Sequence, residues 1–228
     1  MPTKDFGPIE DDYAFFMTHA TEAEQDVAAY ASELDHFAPQ HDTIRMLDFG
    51  GGAGDFTARF LARIDWPANR LALTLIEPVE AHRKRAAQRL ATFSATEIAT
   101  SAKLSPGAES TFDLILANHV LYYVEDLSST LEQLVSSLAP GGIAIAAIAG
   151  WESPLLTLWR FGFGSLDESV PYYAAEDVDA ELRDLSQQGF TYRRKRVHYD
   201  IRFPDAVENR MRILRFLFGE HLDRMPTA

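Results

Sequence analysis

Four glycines, Gly50, Gly51, Gly52 and Gly54, fall within five positions just after Asp48, an acid set in an apolar run, and a second acid, Asp55, follows the last of them. A backbone without side chains lets a ligand touch the chain and presents the N–H groups of a helix start. The spacing separates the ligand classes that use such loops. A dinucleotide fingerprint, G-x-G-x-x-G, wants a small residue where this chain has Asp55, whose carboxylate would face a pyrophosphate at close range. A Walker loop fails because no Lys-Ser/Thr pair follows the glycines. The loop suits a nucleoside bearing a positive charge and an amino-acid tail; other nucleotide folds and a structural tight turn are the alternatives.

These residues need elements to hold them, and hydrophobic periodicity supplies a pattern. Residues 44–49, 71–76 and 112–117 read as strands, with a short one near 96–100. Residues 56–64, 79–93 and 127–138 read as helices, and Pro140-Gly-Gly142 as the turn that launches a strand over 143–149. Near-continuous apolar strands alternating with helices imply an α/β, doubly wound, mostly parallel sheet. Two segments fall outside the alternation: a helical stretch over 8–37, and residues 151–173, rich in aromatics. Both are candidate lids over the carboxyl edge of the sheet, where ligands of such folds bind. After them come a helix over 175–188, an extended stretch over 190–203 and a last helix over 206–218. The expected organisation is one domain: a helical cap (1–43), a cofactor-binding core (44–149), a lid insertion (150–174) and a helix-strand-helix tail (175–228).

The run Leu47-Asp-Phe-Gly-Gly-Gly-Ala-Gly54 resembles motif I of the class I S-adenosylmethionine-dependent methyltransferases. The resemblance implies that Gly50, Gly52 and Gly54 pass under the methionine and ribose of S-adenosyl-L-methionine. It also implies that Asp48 helps hold the loop and the cofactor's ammonium end. Asp55 fits as a helix N-cap or first-turn acid. Glu77, 23 residues after Gly54, stands where a carboxylate meets both ribose hydroxyls. Phe112-Asp-Leu-Ile-Leu-Ala-Asn118 resembles the family's fourth strand, whose end at Asn118 faces the reactive methyl. Leu138-Ala-Pro-Gly-Gly-Ile-Ala-Ile145 resembles its helix-turn-fifth strand, and adenine contacts fall near Thr100 and Ser101.

The Asn/Asp/Ser-Pro-Pro-aromatic tetrad of nucleic-acid and protein-glutamine amino methyltransferases is replaced here by Asn118-His-Val-Leu121. A narrower resemblance runs to the histamine N-methyltransferase group, through His119-Val-Leu-Tyr-Tyr-Val124, Gly150-Trp-Glu-Ser with Leu158-Trp-Arg160, and His19-Ala-Thr-Glu22. It implies that Glu22 binds the acceptor's amine or imidazole side and that Tyr122, Tyr123, Trp151 and Trp159 wall the pocket, with Tyr172 and Tyr173 closing it. His119 stands where that group has a glutamine; it is the candidate catalytic residue, able to take a proton, orient substrate or serve structure. The implied reaction is N-methylation of a small molecule, with small-metabolite O-methylation and cofactor binding without turnover as alternatives.

Composition limits the partners. The formal charge of −13 on 228 residues argues against nucleic acid. Residues 1–40 hold nine acids against one lysine, either a solvated helical face or a field favouring a cationic ligand. The run Arg193-Arg-Lys-Arg196 is expected on a solvated edge strand. No apolar run approaches the roughly 20 residues of a membrane span, and the charged start MPTKDFGPIEDD offers no signal peptide, so a cytoplasmic location is expected. With no cysteine and no spaced His/carboxylate cluster, no metal site is expected. The last ten residues are too polar and short for a seventh strand, so the sheet is expected either to draw both final strands from 190–203 or to end early. An uncovered edge would invite a partner subunit, leaving monomer and homodimer both open.

Overall fold

The computed structural model describes Lys4, Phe6–Asp35, Phe37 and residues 42–105, 107–186 and 189–226. Parts of the expected cap, and the last two residues of the expected 175–188 helix, lie outside the described residues. The chain folds as a doubly wound α/β sheet. Its elements run α1 (Glu10–His19), α2 (Glu22–Glu33), β1 (Ile44–Phe49), α3 (Asp55–Ile64), β2 (Leu71–Ile76), α4 (Glu80–Leu90), β3 (Ala99–Ser101), β4 (Phe112–Asn118), α5 (Leu127–Ser136), β5 (Leu138–Ala147), α6 (Pro154–Gly164), α7 (Ala175–Ser186) and α8 (Val207–Phe218). The strand order is β3-β2-β1-β4-β5, with every ladder parallel. The order reverses between β1 and β4, and crevices for ligands open at such a switch point.

Strand pleating explains the layers, because neighbouring side chains leave opposite faces. Met46, Leu73, Leu114 and Leu116 pack with Tyr30 of α2, Phe60 of α3 and Leu90 of α4. Leu47, Ile115 and Ala117 pack against Leu131 and Leu134 of α5 and Val178 and Leu185 of α7. A third cluster, built from Phe16, Trp159, Phe163, Tyr172 and Phe218, joins α1, α6 and α8.

Several expectations need correction. The leading helical stretch is two helices, because Ala20 is extended and pairs with Ile201 in an isolated antiparallel bridge. β3 spans three residues and sits later than expected. Pro140-Gly-Gly142 is no free turn. It lies inside β5, whose ladder with β4 shifts register between Phe112 and Leu114, and a Cβ on Gly142 would sit 2.8 Å from the Phe112 carbonyl. Among the described residues the sheet ends at β5, and residues 190–203 are not part of it. The basic run instead meets acids: Arg193 and Lys195 reach Glu33, Arg194 reaches Asp179 and Arg196 reaches Glu152.

The N-terminal acids are likewise answered from afar. Glu10 pairs with Arg85, Glu24 with Arg59, and the buried Asp12 with both Arg212 and Arg215 of α8. Asp12 therefore clamps α1 to α8. Asp12→Asn should lower stability by about 1–2 kcal/mol, less than for a fully enclosed pair because both arginines are partly exposed. Urea unfolding checks this, and an unchanged midpoint would refute the clamp. No described helix is long and apolar enough to cross a membrane.

Candidate active site

A cavity of about 1740 Å³ opens at the carboxyl ends of β1, β2 and β4 and continues between α1, α6 and α8. At its inner end the β1–α3 loop turns sharply. The Gly50 N–H donates to the Ile76 carbonyl at 2.6 Å, and Gly54, at φ 79°, is the N-cap of α3. Asp55 therefore stands in the first helical turn, paired with Arg89, rather than at the cap. Asp48 is buried beneath the loop and accepts the Thr57 hydroxyl at 2.6 Å. Burial pushes its carboxyl up to about 6, against the opposing Thr57 bond.

Glu77, buried just past β2, accepts the N–H groups of Gly52 at 3.1 Å and Val79 at 2.9 Å. Ser101 also lines the cavity, whereas Thr100 is exposed and does not. Asn118 ends β4 with its Oδ1 buried and, among the described residues, without a hydrogen-bond partner.

The next residue, His119, takes a left-handed backbone, φ 52°, pinned by its N–H to the Ala147 carbonyl at 2.9 Å. This bend turns the imidazole toward α2. Its Nε2 lies 2.9 Å from Asp26 Oδ2 and 3.6 Å from Glu22 Oε2, and its Nδ1 lies 3.2 Å from the Tyr122 hydroxyl, which also accepts the Ala149 N–H. Burial works against charge on the ring, but Glu22 and Asp26 outweigh it and raise His119 to about 9. The two acids thus favour the protonated ring. Burial raises the Glu22 carboxyl above its ordinary value despite His119, and the Tyr199 hydroxyl donates to it. Two acidic side chains of α2 thus converge on one imidazole.

Of the aromatic residues expected around the pocket, Tyr122, Tyr123 and Trp159 line the cavity. Tyr172 is packed behind them, 5.2 Å from the Tyr123 ring and 4.8 Å from Trp159. Trp151 is turned away toward the Arg160 guanidinium, 5.8 Å from its ring, and its backbone N–H donates to Glu176. Tyr173 packs with the α5 and α7 cluster, also outside the cavity lining. Asp26, Thr57, Tyr199 and Lys4 were missed by sequence reasoning. Asp26 alone carried a signal, standing four residues after Glu22 on the same helical face.

A family profile described as a methyltransferase domain matches residues 21–192. The chain belongs to this family. It has the fold of the class I S-adenosylmethionine-dependent methyltransferases. Histamine N-methyltransferase A of Xenopus laevis is 28% identical over a stretch covering 69% of this chain and 58% of that protein. A polyketide synthase-nonribosomal peptide synthetase of Aspergillus clavatus is 27% identical over 72% of this chain but 4% of its own length. The chain thus spans a little over half the length of the first of these relatives and a small fraction of the second. A solved structure from Thermotoga maritima, titled a SAM-dependent methyltransferase and possible histamine N-methyltransferase, shares the fold at TM-score 0.52 and 19% identity, covering 77% of this chain and 75% of that one.

The residues of this methyltransferase domain fit the donor its family uses. Asn118 Oδ1 is an acceptor in need of a donor, since an unpaired buried acceptor costs about 1–3 kcal/mol. Gly52 offers a cradle: a Cβ there would meet nothing within 4 Å, so a ligand can lie against its backbone. Glu77 spends one bond from each oxygen on backbone N–H groups and retains lone pairs for hydroxyls. Among the described residues no cluster of His, Asp and Glu could hold a metal ion.

Proposed function

We propose that the protein transfers a methyl group from S-adenosylmethionine to a nitrogen of a small amine or heteroaromatic molecule, releasing S-adenosylhomocysteine. The observation that carries the nitrogen reading is Glu22 at the cavity wall beside His119, with Asp26 behind them, close to the rings of Tyr122, Tyr123 and Trp159. An acidic side chain beside aromatic faces favours a basic molecule over a neutral alcohol. Similarity to the Xenopus laevis N-methyltransferases supports the same choice.

When bound, the donor supplies an electrophilic methyl on a sulfonium. The protein's task is then orientation and exclusion of water, which account for most of the acceleration in such displacements. Gly50, Gly52 and Gly54 would pass under the donor, Glu77 would take its ribose, Asp48 and Asn118 its amino-acid end, and Ser101 the adenine side, with no part left for the exposed Thr100. Tyr122, Tyr123 and Trp159 would stack on the acceptor. Trp151 and Tyr172 are left with supporting parts outside the cavity. An attacking nitrogen must be unprotonated. With Glu22 and Asp26 favouring its protonated form, His119 is suited to fixing the two acids rather than to taking a proton. Glu22, whose affinity for protons is raised by burial, is placed to hold the acceptor and take its proton.

Incubation with methyl-labelled donor and a panel of small amines and alcohols tests this. Label on nitrogen is expected. Label on oxygen, or tight donor binding without transfer, would refute it. Glu22→Gln should raise KM for a cationic acceptor by ~10- to 100-fold, the worth of one lost charged partner of about 1.5–3 kcal/mol. Its calorimetric Kd for the donor should stay within about twofold of wild type. Equal loss of both would remove Glu22 from the acceptor site.

A further inference from the structure

Lys4 is the lone base among the first forty residues, and it sits inside the cavity rather than in solvent. Its Nζ donates to the Phe216 carbonyl and, at 3.2 Å, to the Leu217 carbonyl. Four rings surround it: Phe216 at 4.8 Å, Phe6 at 5.3 Å, Tyr123 at 5.8 Å and Trp159 at 6.0 Å from Nζ to centroid. Ring faces attract a cation within about 6 Å. The two carbonyls belong to the last turn of α8, where the helix leaves acceptors unspent and its dipole favours positive charge. Trp159 is locked in place by its own Nε1–H bond to the Leu217 carbonyl at 2.9 Å. The cage is built without any contribution from the lysine.

We propose that Phe6, Tyr123, Trp159 and Phe216, with the Phe216 and Leu217 carbonyls, form a subsite for a primary alkylammonium group of the acceptor, and that Lys4 fills it until the acceptor displaces it. The inference rests on reading this cavity as the acceptor site. Lys4 is a replaceable occupant. Among the described residues no carboxylate pairs with it, and burial lowers its ammonium to about 7, so holding the charge there has a cost that an untethered ligand with better contacts can undercut. Phe6 is anchored by edge contacts to Tyr13 and Tyr123, each at 5.5 Å, ahead of the turn that begins at Gly7. Two carbonyl acceptors select a head group that can donate, so a primary ammonium is preferred to a quaternary one, which can use only the rings.

Titration of the wild-type protein and of Lys4→Ala with n-butylammonium chloride, followed by tryptophan fluorescence at constant ionic strength, provides the test. Tetramethylammonium and n-pentanol serve as controls. Removing the internal competitor should tighten n-butylammonium binding by at least ~10-fold, because the wild-type subsite is open only a fraction of the time. Tetramethylammonium should bind more weakly, and n-pentanol should show no such gain. In wild type, saturating n-butylammonium should move the Lys4 ε-methylene NMR signal from its ring-shifted position to that of a solvated lysine, a readout that needs no variant to fold. Equal n-butylammonium affinity in both proteins, an equal gain for n-pentanol, or an unmoved Lys4 signal would overturn the proposal. Calorimetry with S-adenosylhomocysteine on the same samples separates the two readings: its failure to bind would sink the methyl-transfer assignment and leave the cage result standing.

Discussion

Gly52→Ala is expected to leave the fold nearly intact while removing most of the affinity for S-adenosylmethionine and S-adenosylhomocysteine. At φ 56°, an alanine costs about 1–2 kcal/mol in backbone strain. Its Cβ meets no protein atom within 4 Å, so stability carries no further penalty. The methyl group would project into the space the donor is proposed to occupy. Overpacking of about 1–3 kcal/mol there translates to ~10- to 100-fold in Kd. Gly51→Ala is the matched control with the opposite cause. Its Cβ would fall 2.0 Å from Asp48 Oδ2, a buried carboxylate tied to Thr57, so the loop itself must shift and the melting temperature should drop markedly. Calorimetry with both nucleosides, beside thermal unfolding, distinguishes the two. Wild-type affinity in Gly52→Ala would mean that no ligand lies against this loop.

Asp26→Asn should be the most damaging polar substitution near the cavity. Asp26 is 4% exposed and holds the His119 Nε2 at 2.9 Å, so the change leaves a buried imidazolium with Glu22 as its remaining carboxylate, at 3.6 Å. Breaking a buried pair costs about 3 kcal/mol. The cost should depend on pH with a definite sign. His119 binds its proton more tightly folded than unfolded, rising from 6.5 to about 9. The stability it confers is complete below roughly 6.5 and disappears as pH climbs through about 9, a change of some 2–3 kcal/mol once its partial exposure is allowed for. Lys4 runs the other way: its lowered value of about 7 makes stability rise between there and its ordinary 10.5. The two trends oppose each other in wild type, so the informative quantity is the difference between wild type and Asp26→Asn. That difference should be largest near pH 6.5 and shrink above pH 9. A pH-independent difference in urea unfolding would refute the imidazolium.

How much of this was legible beforehand depended on the range of the forces involved. The bounds of β1 and β2 agree with expectation to the residue, because strands inside a sheet covered on both faces are mostly apolar and the apolar run marks their extent. β3 was misjudged, since three edge residues leave little pattern to read. The glycines at 141 and 142 signal a turn by composition, and they lie instead in an unpaired irregularity within β5, between Leu138 facing Phe112 and Ile143 facing Leu114.

Local order in the chain therefore determined the α/β class, the glycine loop after the first strand and the carboxylate just past the second strand, since each is set by neighbours within a few residues. Tertiary structure alone decided the rest. It brought His119 to Asp26 across 93 positions and Lys4 to Phe216 across 212. It spent the N-terminal acids on distant arginines, and it turned Trp159 into the cavity and Trp151 out of it. A charge or an aromatic ring announces that it needs a partner, but which partner it finds is a property of packed surfaces.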